Sequence, residues 1–325
     1  MSLLEVSCKP HFHQFRKPFK IAHGTRTGTD VVFLKLKWND FIGFGEASLP
    51  PYLPDNVEST LNFFKQEYFQ NLQLPYNLFE FSSEINKKFI GNYPAKAALD
   101  MALWDLKSKM EQKSISSLLL IETPVLCPRT FTLGIGSKYD MQENIDYALS
   151  CGFALFKIKL NGKRDEEIIK EFKSMSDLPF AIDANQSWTN IDHAKKFSQQ
   201  LQDSGCILIE QPFSKSDRIL SAELKSVLQI PVIADEACQT IEDISGLAES
   251  FDGINIKLQK CGGIAAAFEM INMARSQNLL VLMGCMSEST VACNAAEALS
   301  PLADWADLDG PWLIKENPSP LDIFK

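Results

Sequence analysis

A chain of 325 residues, 45% hydrophobic and 22% charged, has the composition of an ordinary globular protein with room for two domains, or for one barrel with an appendage. Its net charge of -9 and pI near 5.1 argue against a nucleic-acid or anionic-membrane surface and suit small cationic or metal-bound ligands. Eight cysteines are scattered without zinc-like spacing, and no apolar run reaches membrane-spanning length or forms a leader core between Met1 and Lys20, so a reducing, cytoplasmic setting is expected.

Residues 1 to about 50 read as strands. Val31 to Trp38 alternates Val, Phe, Leu and Leu against two lysines, and Asn39-Asp40 turns the chain into a hairpin partner, Phe41 to Glu46, ended by the Gly43-Phe44-Gly45-Glu46 stretch. His11 and His13 lie in strand alternation and read as surface residues. Pro18 to Thr29, rich in Lys, Arg, Thr and Gly, is expected to be a mobile loop, and a loop of that length in a compact domain is often functional. Residues 55 to 115 read as helices, most clearly Ala95 to Lys109, with Ala98, Met101, Ala102, Trp104 and Leu106 at helical spacing behind Asn92-Tyr93-Pro94. A hairpin sheet followed by helices makes a small α+β domain.

From about residue 125 the texture becomes repetitive. Apolar strands recur at 131–133, 155–159, 180–183, 207–210, 232–235, 254–257, 280–283 and 305–307, with charged amphipathic stretches between them. That period is the length of a βα unit, and eight of them predict an α/β fold of the (β/α)-barrel, TIM type, with an open doubly wound sheet as the alternative. No glycine-rich dinucleotide fingerprint follows any strand.

Charged residues stand at the carboxyl ends of successive strands, the end of a barrel where active sites are built. Lys157 and Lys159 share one face of the second strand, Asp183 ends the third, Glu210 the fourth, Asp235 and Glu236 the fifth, Lys257 the sixth, and Asp307 and Asp309 stand at the eighth. Any one carboxylate could cap the next helix, but three in consecutive units at matching positions fit caps poorly. Asp183, Glu210 and Asp235 would converge on an all-oxygen site for a hard divalent cation, Mg2+, and the absence of histidine or cysteine among them disfavours zinc. Lys257 lies across the barrel from Lys157 and Lys159, so lysines on opposite faces could remove and return an α-proton while the metal stabilises an enediolate. Repulsion between adjacent lysines would ease deprotonation unless carboxylates balance them. A Schiff-base aldolase would also use a barrel lysine, but three adjacent carboxylates disfavour it.

These residues carry a resemblance across nearly the whole chain. Gly43-Phe44-Gly45-Glu46-Ala47, the run from Ala95 to Leu106, Lys157-Ile158-Lys159, Asp183-Ala184-Asn185-Gln186, Ile209-Glu210-Gln211-Pro212, Ala234-Asp235-Glu236 and Asn255-Ile256-Lys257 with Gly262-Gly263 resemble the enolase superfamily. The subgroup they most resemble is the muconate-lactonizing one, and within it the dipeptide epimerases; a Lys base beside magnesium is the superfamily's general pattern. The resemblance implies a modified (β/α)7β barrel over 121–308 and an N-terminal α+β capping domain over 1–120 to which 309–325 returns. It assigns Asp183, Glu210 and Asp235 to one Mg2+ per subunit and Lys159 and Lys257 to acid and base. Lys157 would polarise the substrate carboxylate and depress the pKa of Lys159, and Asn185 and Glu236 would support the metal site. Relatives are often oligomers, which makes a homo-oligomer an expectation.

Members of this subgroup lactonize, form o-succinylbenzoate, racemize N-succinylamino acids or epimerize dipeptides with similar machinery. Asp307-Leu308-Asp309-Gly310-Pro311 puts two carboxylates on one face, where they can bind an ammonium group, and resembles the Asp-x-Asp element of dipeptide epimerases. The expectation is a dipeptide epimerase acting at the α-carbon of the C-terminal residue, with N-acylamino acid racemization or o-succinylbenzoate formation as alternatives and a non-catalytic barrel as the reading from another class. In relatives acting on Ala-Glu an arginine of the capping loop is expected to hold the distal carboxylate. Here Gly24 aligns with it and Arg26 follows two residues later, which favours a small or hydrophobic C-terminal residue, although Arg26 or Lys20 could reach an acid. Phe19, Ile21 and Glu288 are further candidate pocket residues. Gly262-Gly263 reads as a tight strand-to-helix turn rather than a phosphate site.

Overall fold

The computed structural model describes residues 3–21, 24–122 and 127–325, with the Ile21 side chain outside the described part. Three antiparallel strands, β1 (Glu5–Ile21), β2 (Gly24–Trp38) and β3 (Phe41–Leu49), form the N-terminal sheet in that order. Asn39 takes the left-handed conformation that the two-residue turn between β2 and β3 requires.

The segment expected to be a loop is instead the far end of the β1/β2 hairpin. Pairing runs from Glu5 with Lys37 to Gln14 with Gly28, breaks, and resumes from Phe19 with Arg26 to Ile21 with Gly24. Pro18 falls inside the break, where its missing N–H removes no ladder bond, so the strand passes a residue that argues against one. His13, expected at the surface, is buried, and its Nε2 lies 2.9 Å from Glu46 Oε1. β3 also continues past Glu46 to Leu49.

Helix Tyr93–Glu111 packs across β3, and the two glycines there are what let it approach. A Cβ at Gly43 would lie 2.0 Å from the Ala102 carbonyl oxygen, and one at Gly45 1.9 Å from that of Ala98.

Eight parallel strands follow: β4 (Phe131–Leu133), β5 (Phe156–Lys159), β6 (Phe180–Asp183), β7 (Cys206–Glu210), β8 (Val232–Ala234), β9 (Gly253–Lys257), β10 (Leu280–Gly284) and β11 (Trp305–Asp307). Each pairs with its neighbour in sequence, and a parallel bridge between Arg129 and Ala306 joins the two ends of the sheet. A ring in sequence order is a TIM-type barrel and not a doubly wound sheet. After β8 two short 3-10 turns, Ile241–Asp243 and Leu247–Glu249, stand where a regular barrel has a helix.

Cap and barrel meet through buried polar contacts. Asp100 Oδ2 accepts from Ile264 N at 2.5 Å and Ala265 N at 3.2 Å, capping barrel helix Ile264–Ser276 from the other domain. Gly263, at φ 125°, clears it: a Cβ there would sit 2.5 Å from Asp100 Cβ. Gln259 accepts from Ser48 N at 3.1 Å and donates to the Glu46 carbonyl at 2.9 Å. The C-terminal residues lie on the cap strands, with Lys315 N donating to Gln14 O at 2.7 Å and the Phe324 ring 6.1 Å from that of Phe44. We propose to divide the chain accordingly, into 1–120 with 309–325 and 121–308.

Candidate active site

Parallel register delivers the charged residues to one rim. Lys159 pairs with Asp183, Asp183 with Glu210, and Gly284 with both Lys257 and Asp307, so these positions share one level of the barrel. Asp183 and Glu210 are fully buried, and Asp235, just past β8, is 5% exposed. One oxygen from each of the three lies within 4.8 Å of the others. None of them caps a helix.

Lysines thread between these carboxylates. Lys157 Nζ lies 2.6 Å from Glu210 Oε2, 2.7 Å from Asp307 Oδ2 and 3.6 Å from Asp183 Oδ2. Lys159 Nζ contacts Asp183 Oδ2 at 2.5 Å, and Lys257 Nζ contacts Asp235 Oδ2 at 2.7 Å. β5 and β9 are the second and sixth strands of eight, so Lys159 and Lys257 face each other across the ring.

Burial penalises every charge here, and the pairing decides the outcome. Lys157, although fully desolvated, is held above the ordinary lysine range by Asp307, Glu210 and Asp183. Carboxylates therefore balance the neighbouring lysine that the tripeptide alone suggested would ease deprotonation. Asp235 is held well below the usual carboxylate range because Lys257 and Lys260 outweigh its burial. Glu210 is pushed up to about 8 by burial, and Glu236 to about 7 by burial and by Asp235 and Asp183. Repulsion among the converging carboxylates thus adds to burial in raising these two.

The donor set fits a hard divalent cation. It is three buried carboxylates without histidine or cysteine. Among the described residues Asn185 Oδ1 and Glu236 Oε2 are buried without a hydrogen-bond partner and Glu210 Oε2 has only the Lys157 ammonium beside it, acceptors that a metal with its bound waters would engage.

A cavity of about 440 Å3 opens above this rim, reached by Lys159, Lys257, Asn185, Glu236, Asp307 and Asp309. Asp307 Oδ1 accepts from Thr130 Oγ1 at 2.6 Å, and Asp309 Oδ2 accepts from Thr132 N at 2.6 Å. Asp309 precedes the short helix Gly310–Leu313 but makes no side-chain cap to it. Phe19 and Arg26 line the same cavity from the cap hairpin. Glu288 does not: it is 2% exposed, accepts from Met286 N at 2.9 Å and lies beside Glu46, beneath the loop whose Met286 and Ser287 reach the cavity. The Ile21 side chain is outside the described residues.

Residues 140–315 match the enolase C-terminal domain-like family, and residues 4–119 match the mandelate racemase / muconate lactonizing enzyme N-terminal domain. The chain belongs to the enolase superfamily. Within this superfamily it is 34% identical to an L-Ala-D/L-Glu epimerase of Bacteroides thetaiotaomicron, over 97% of this chain and 82% of that one. It is 30% identical to a hydrophobic dipeptide epimerase of Flavobacteria bacterium, over 94% and 88%. Among solved structures, the substrate-liganded L-Ala-D/L-Glu epimerase of Bacillus subtilis superposes with a TM-score of 0.89 at 25% identity, covering 98% of this chain and 92% of that one. The dipeptide epimerase of Enterococcus faecalis, complexed with Mg and L-Leu-L-Tyr, superposes with a TM-score of 0.88 at 27% identity, covering 98% and 93%.

Several residues that complete this superfamily site were not singled out from sequence. Asn255 Nδ2 donates to Glu210 Oε1 at 2.8 Å, and Gln211 Oε1 accepts from Asp235 N at 2.9 Å and Ala237 N at 3.0 Å. Both adjoin motif residues, and the signal was there in Glu210-Gln211 and Asn255-Ile256-Lys257. Thr130 precedes the three-residue strand β4 and Thr132 is its middle residue, and neither carried one.

Proposed function

We propose that the protein is a magnesium-dependent dipeptide epimerase that moves the α-proton of the C-terminal residue. One observation carries the reading: two lysines face each other across a buried three-carboxylate site, and two aspartates, Asp307 and Asp309, line the same cavity. Asp183, Glu210 and Asp235 would hold the ion, with Asn185 and Glu236 supporting them from behind. Bound magnesium supplies positive charge at the substrate carboxylate and lowers the cost of the negative charge that appears there when the proton leaves. Lys159 and Lys257 act from opposite faces, one removing the proton and the other delivering one. Lys157 remains an ammonium and stabilises negative charge near the carboxylate instead of moving protons. Asp309, with one oxygen bonded to Thr132 N, and Asp307 receive the substrate's free ammonium. An N-acylated amino acid has no ammonium to offer them, which places N-acylamino acid racemization second.

The side chain of the C-terminal residue is read from Arg26. Its Nε and NH1 are buried without a partner among the described residues, its guanidinium lies 5.5 Å from the Tyr52 ring and 5.4 Å from that of Phe15, and it lines the cavity. Buried donors without an acceptor are costly, and an anionic substrate group would supply one. The expectation of a small or hydrophobic residue rested on Gly24 standing at the aligned position; Arg26 brings the cation in from two residues along the same strand. Relatives of both kinds occur among the matches, and Arg26 favours an acidic C-terminal residue. The eight cysteines are unpaired thiols, and among the described residues no helix is long and apolar enough to cross a membrane, in keeping with a cytoplasmic enzyme.

Proton NMR in D2O tests both parts. With magnesium, the α-proton signal of the C-terminal residue should vanish from L-Ala-L-Glu faster than from L-Ala-L-Val, and a chelator should stop both. Exchange confined to N-acylamino acids would overturn the dipeptide reading, and faster exchange in L-Ala-L-Val the acidic one.

A further inference from the structure

Each carboxylate of the buried triad has one oxygen tied to a protein donor. Asp183 Oδ1 accepts from Asn185 N at 2.8 Å, Glu210 Oε1 from Asn255 Nδ2 at 2.8 Å, and Asp235 Oδ1 from Lys260 Nζ at 2.6 Å. The second oxygen of each faces another lysine: Asp183 Oδ2 faces Lys159, Glu210 Oε2 faces the buried Lys157, and Asp235 Oδ2 faces Lys257.

The ties differ in kind from the contacts on the other side. Lys260, in the turn Leu258–Cys261 after β9, also reaches the main-chain oxygens of Asp235 at 2.9 Å, Asn255 at 2.9 Å and Cys238 at 3.1 Å. An ammonium has three protons, so this one is fully engaged within the protein and has no reason to leave. Lys257, on the other oxygen of the same carboxylate, has Asp235 Oδ2 as its acceptor among the described residues and opens onto the cavity. One carboxylate is thus shared between a fixed cation and a movable one. Asn255 is likewise immobile, fully buried with its side chain close against Gly284.

Tied oxygens limit what the triad can offer an ion. Calcium takes about six to eight oxygens and can use a carboxylate through both of its own, whereas magnesium demands near-octahedral geometry and keeps waters beside a few carboxylate oxygens. We propose that Lys260 and Asn255 are positioning residues that confine Asp235 and Glu210 to one ligand oxygen each and so set the site's preference for magnesium over calcium. This rests on the reading of the triad as the metal site. Lys260 acts through Asp235 and touches no reacting atom.

Competition against Mn2+, read by the electron paramagnetic resonance of the free ion, measures Mg2+ and Ca2+ affinities in the wild-type protein, Lys260→Met and Asn255→Ala. Circular dichroism verifies the fold of each variant. The ratio of calcium to magnesium affinity is expected to rise about tenfold or more in each variant, within the range found when groups behind metal ligands are removed. Loss of the Lys260 charge alone would change both affinities together and leave the ratio where it was. Asn255→Ala changes no charge and decides the matter by itself if Lys260→Met does not fold. Wild-type protein that binds Mn2+, with an unchanged ratio in the folded variants, would overturn this inference alone. Wild-type protein that binds no Mn2+ would overturn the metal-site reading and this inference with it.

Discussion

Replacing Arg26 by Met tests how the cavity reads its substrate. Met keeps an unbranched apolar stem beside Phe15 and Tyr52 and removes two buried donors, Nε and NH1, that have no partner among the described residues. A hydrogen bond to a charged group contributes about 1.5 to 3 kcal/mol, and taking the lower figure for two donors gives about 3 kcal/mol. At about 1.4 kcal/mol per tenfold, kcat/KM for L-Ala-L-Glu should fall roughly 100-fold. Arg26 is proposed to hold the substrate's distal carboxylate in ground state and transition state alike, so most of the loss should be in KM. For L-Ala-L-Val the variant should match or exceed the wild type, since two buried donors that this substrate leaves unmatched have been removed. Initial rates of α-proton exchange on the two dipeptides provide the assay. Equal losses on both would mean that Arg26 only braces the hairpin; no loss on L-Ala-L-Glu would refute the pairing.

Lys159→Ala and Lys257→Ala should each lose epimerization by about 10^3-fold, yet each should still exchange the α-proton of one stereoisomer, opposite in the two variants. Retention of full epimerization in either would contradict the two-base reading. Glu288 is pushed up to about 8 from an ordinary 4.5, by burial first and then by Glu46, so the folded chain holds this proton more tightly than the unfolded one. Its contribution to stability is therefore full below 4.5 and is lost as pH rises through about 8. Glu288→Gln escapes that loss, so its unfolding free energy from urea denaturation should gain on the wild type between about pH 5 and 8.5, by at most about 4 kcal/mol; a gap that does not change with pH would refute the assignment. Gly263→Ala places a Cβ 2.5 Å from Asp100 Cβ at a φ of 125°, and should cost at least about 2 kcal/mol in urea denaturation. A variant as stable as the wild type would show that the joint yields.

The barrel was legible because every strand ends an apolar run and the runs recur at one period. The site was legible for the same reason: Asp183, Glu210 and Lys257 each stand one register step from an apolar residue that fixes which way they point. The hairpin was not, because Pro18 and the polar run to Thr29 carry loop chemistry, while the pairing that resumes beyond the register break joins only Phe19–Ile21 to Gly24–Arg26, too short a run to show a strand period. His13 looked like a surface residue because its reason for being buried, Glu46, lies two strands away. Glu288 was assigned to the pocket from its place after the seventh strand, yet the chain turns there and presents Met286 and Ser287 instead. Sequence spacing locates a strand end well and a loop side chain poorly, since a loop has no period to fix direction.

Lys157 ties the two halves of the site together. It bonds Asp307, proposed to take the substrate ammonium, and lies against Glu210 and Asp183, proposed to take the metal. With Asp307 Oδ1 already held by Thr130 Oγ1, an incoming ammonium finds Asp309 less encumbered and reaches Asp307 in competition with Lys157. An ammonium that takes part of Asp307's charge loosens its hold on Lys157, whose positive charge then serves the other neighbours, the metal-side carboxylates and the substrate carboxylate beside them. Recognition of the free amine and stabilisation of the charge at the reacting end are in this way linked through a single buried cation. A substrate without that amine would leave Lys157 fixed on Asp307, which is a physical reason for this barrel to prefer dipeptides over N-acylamino acids.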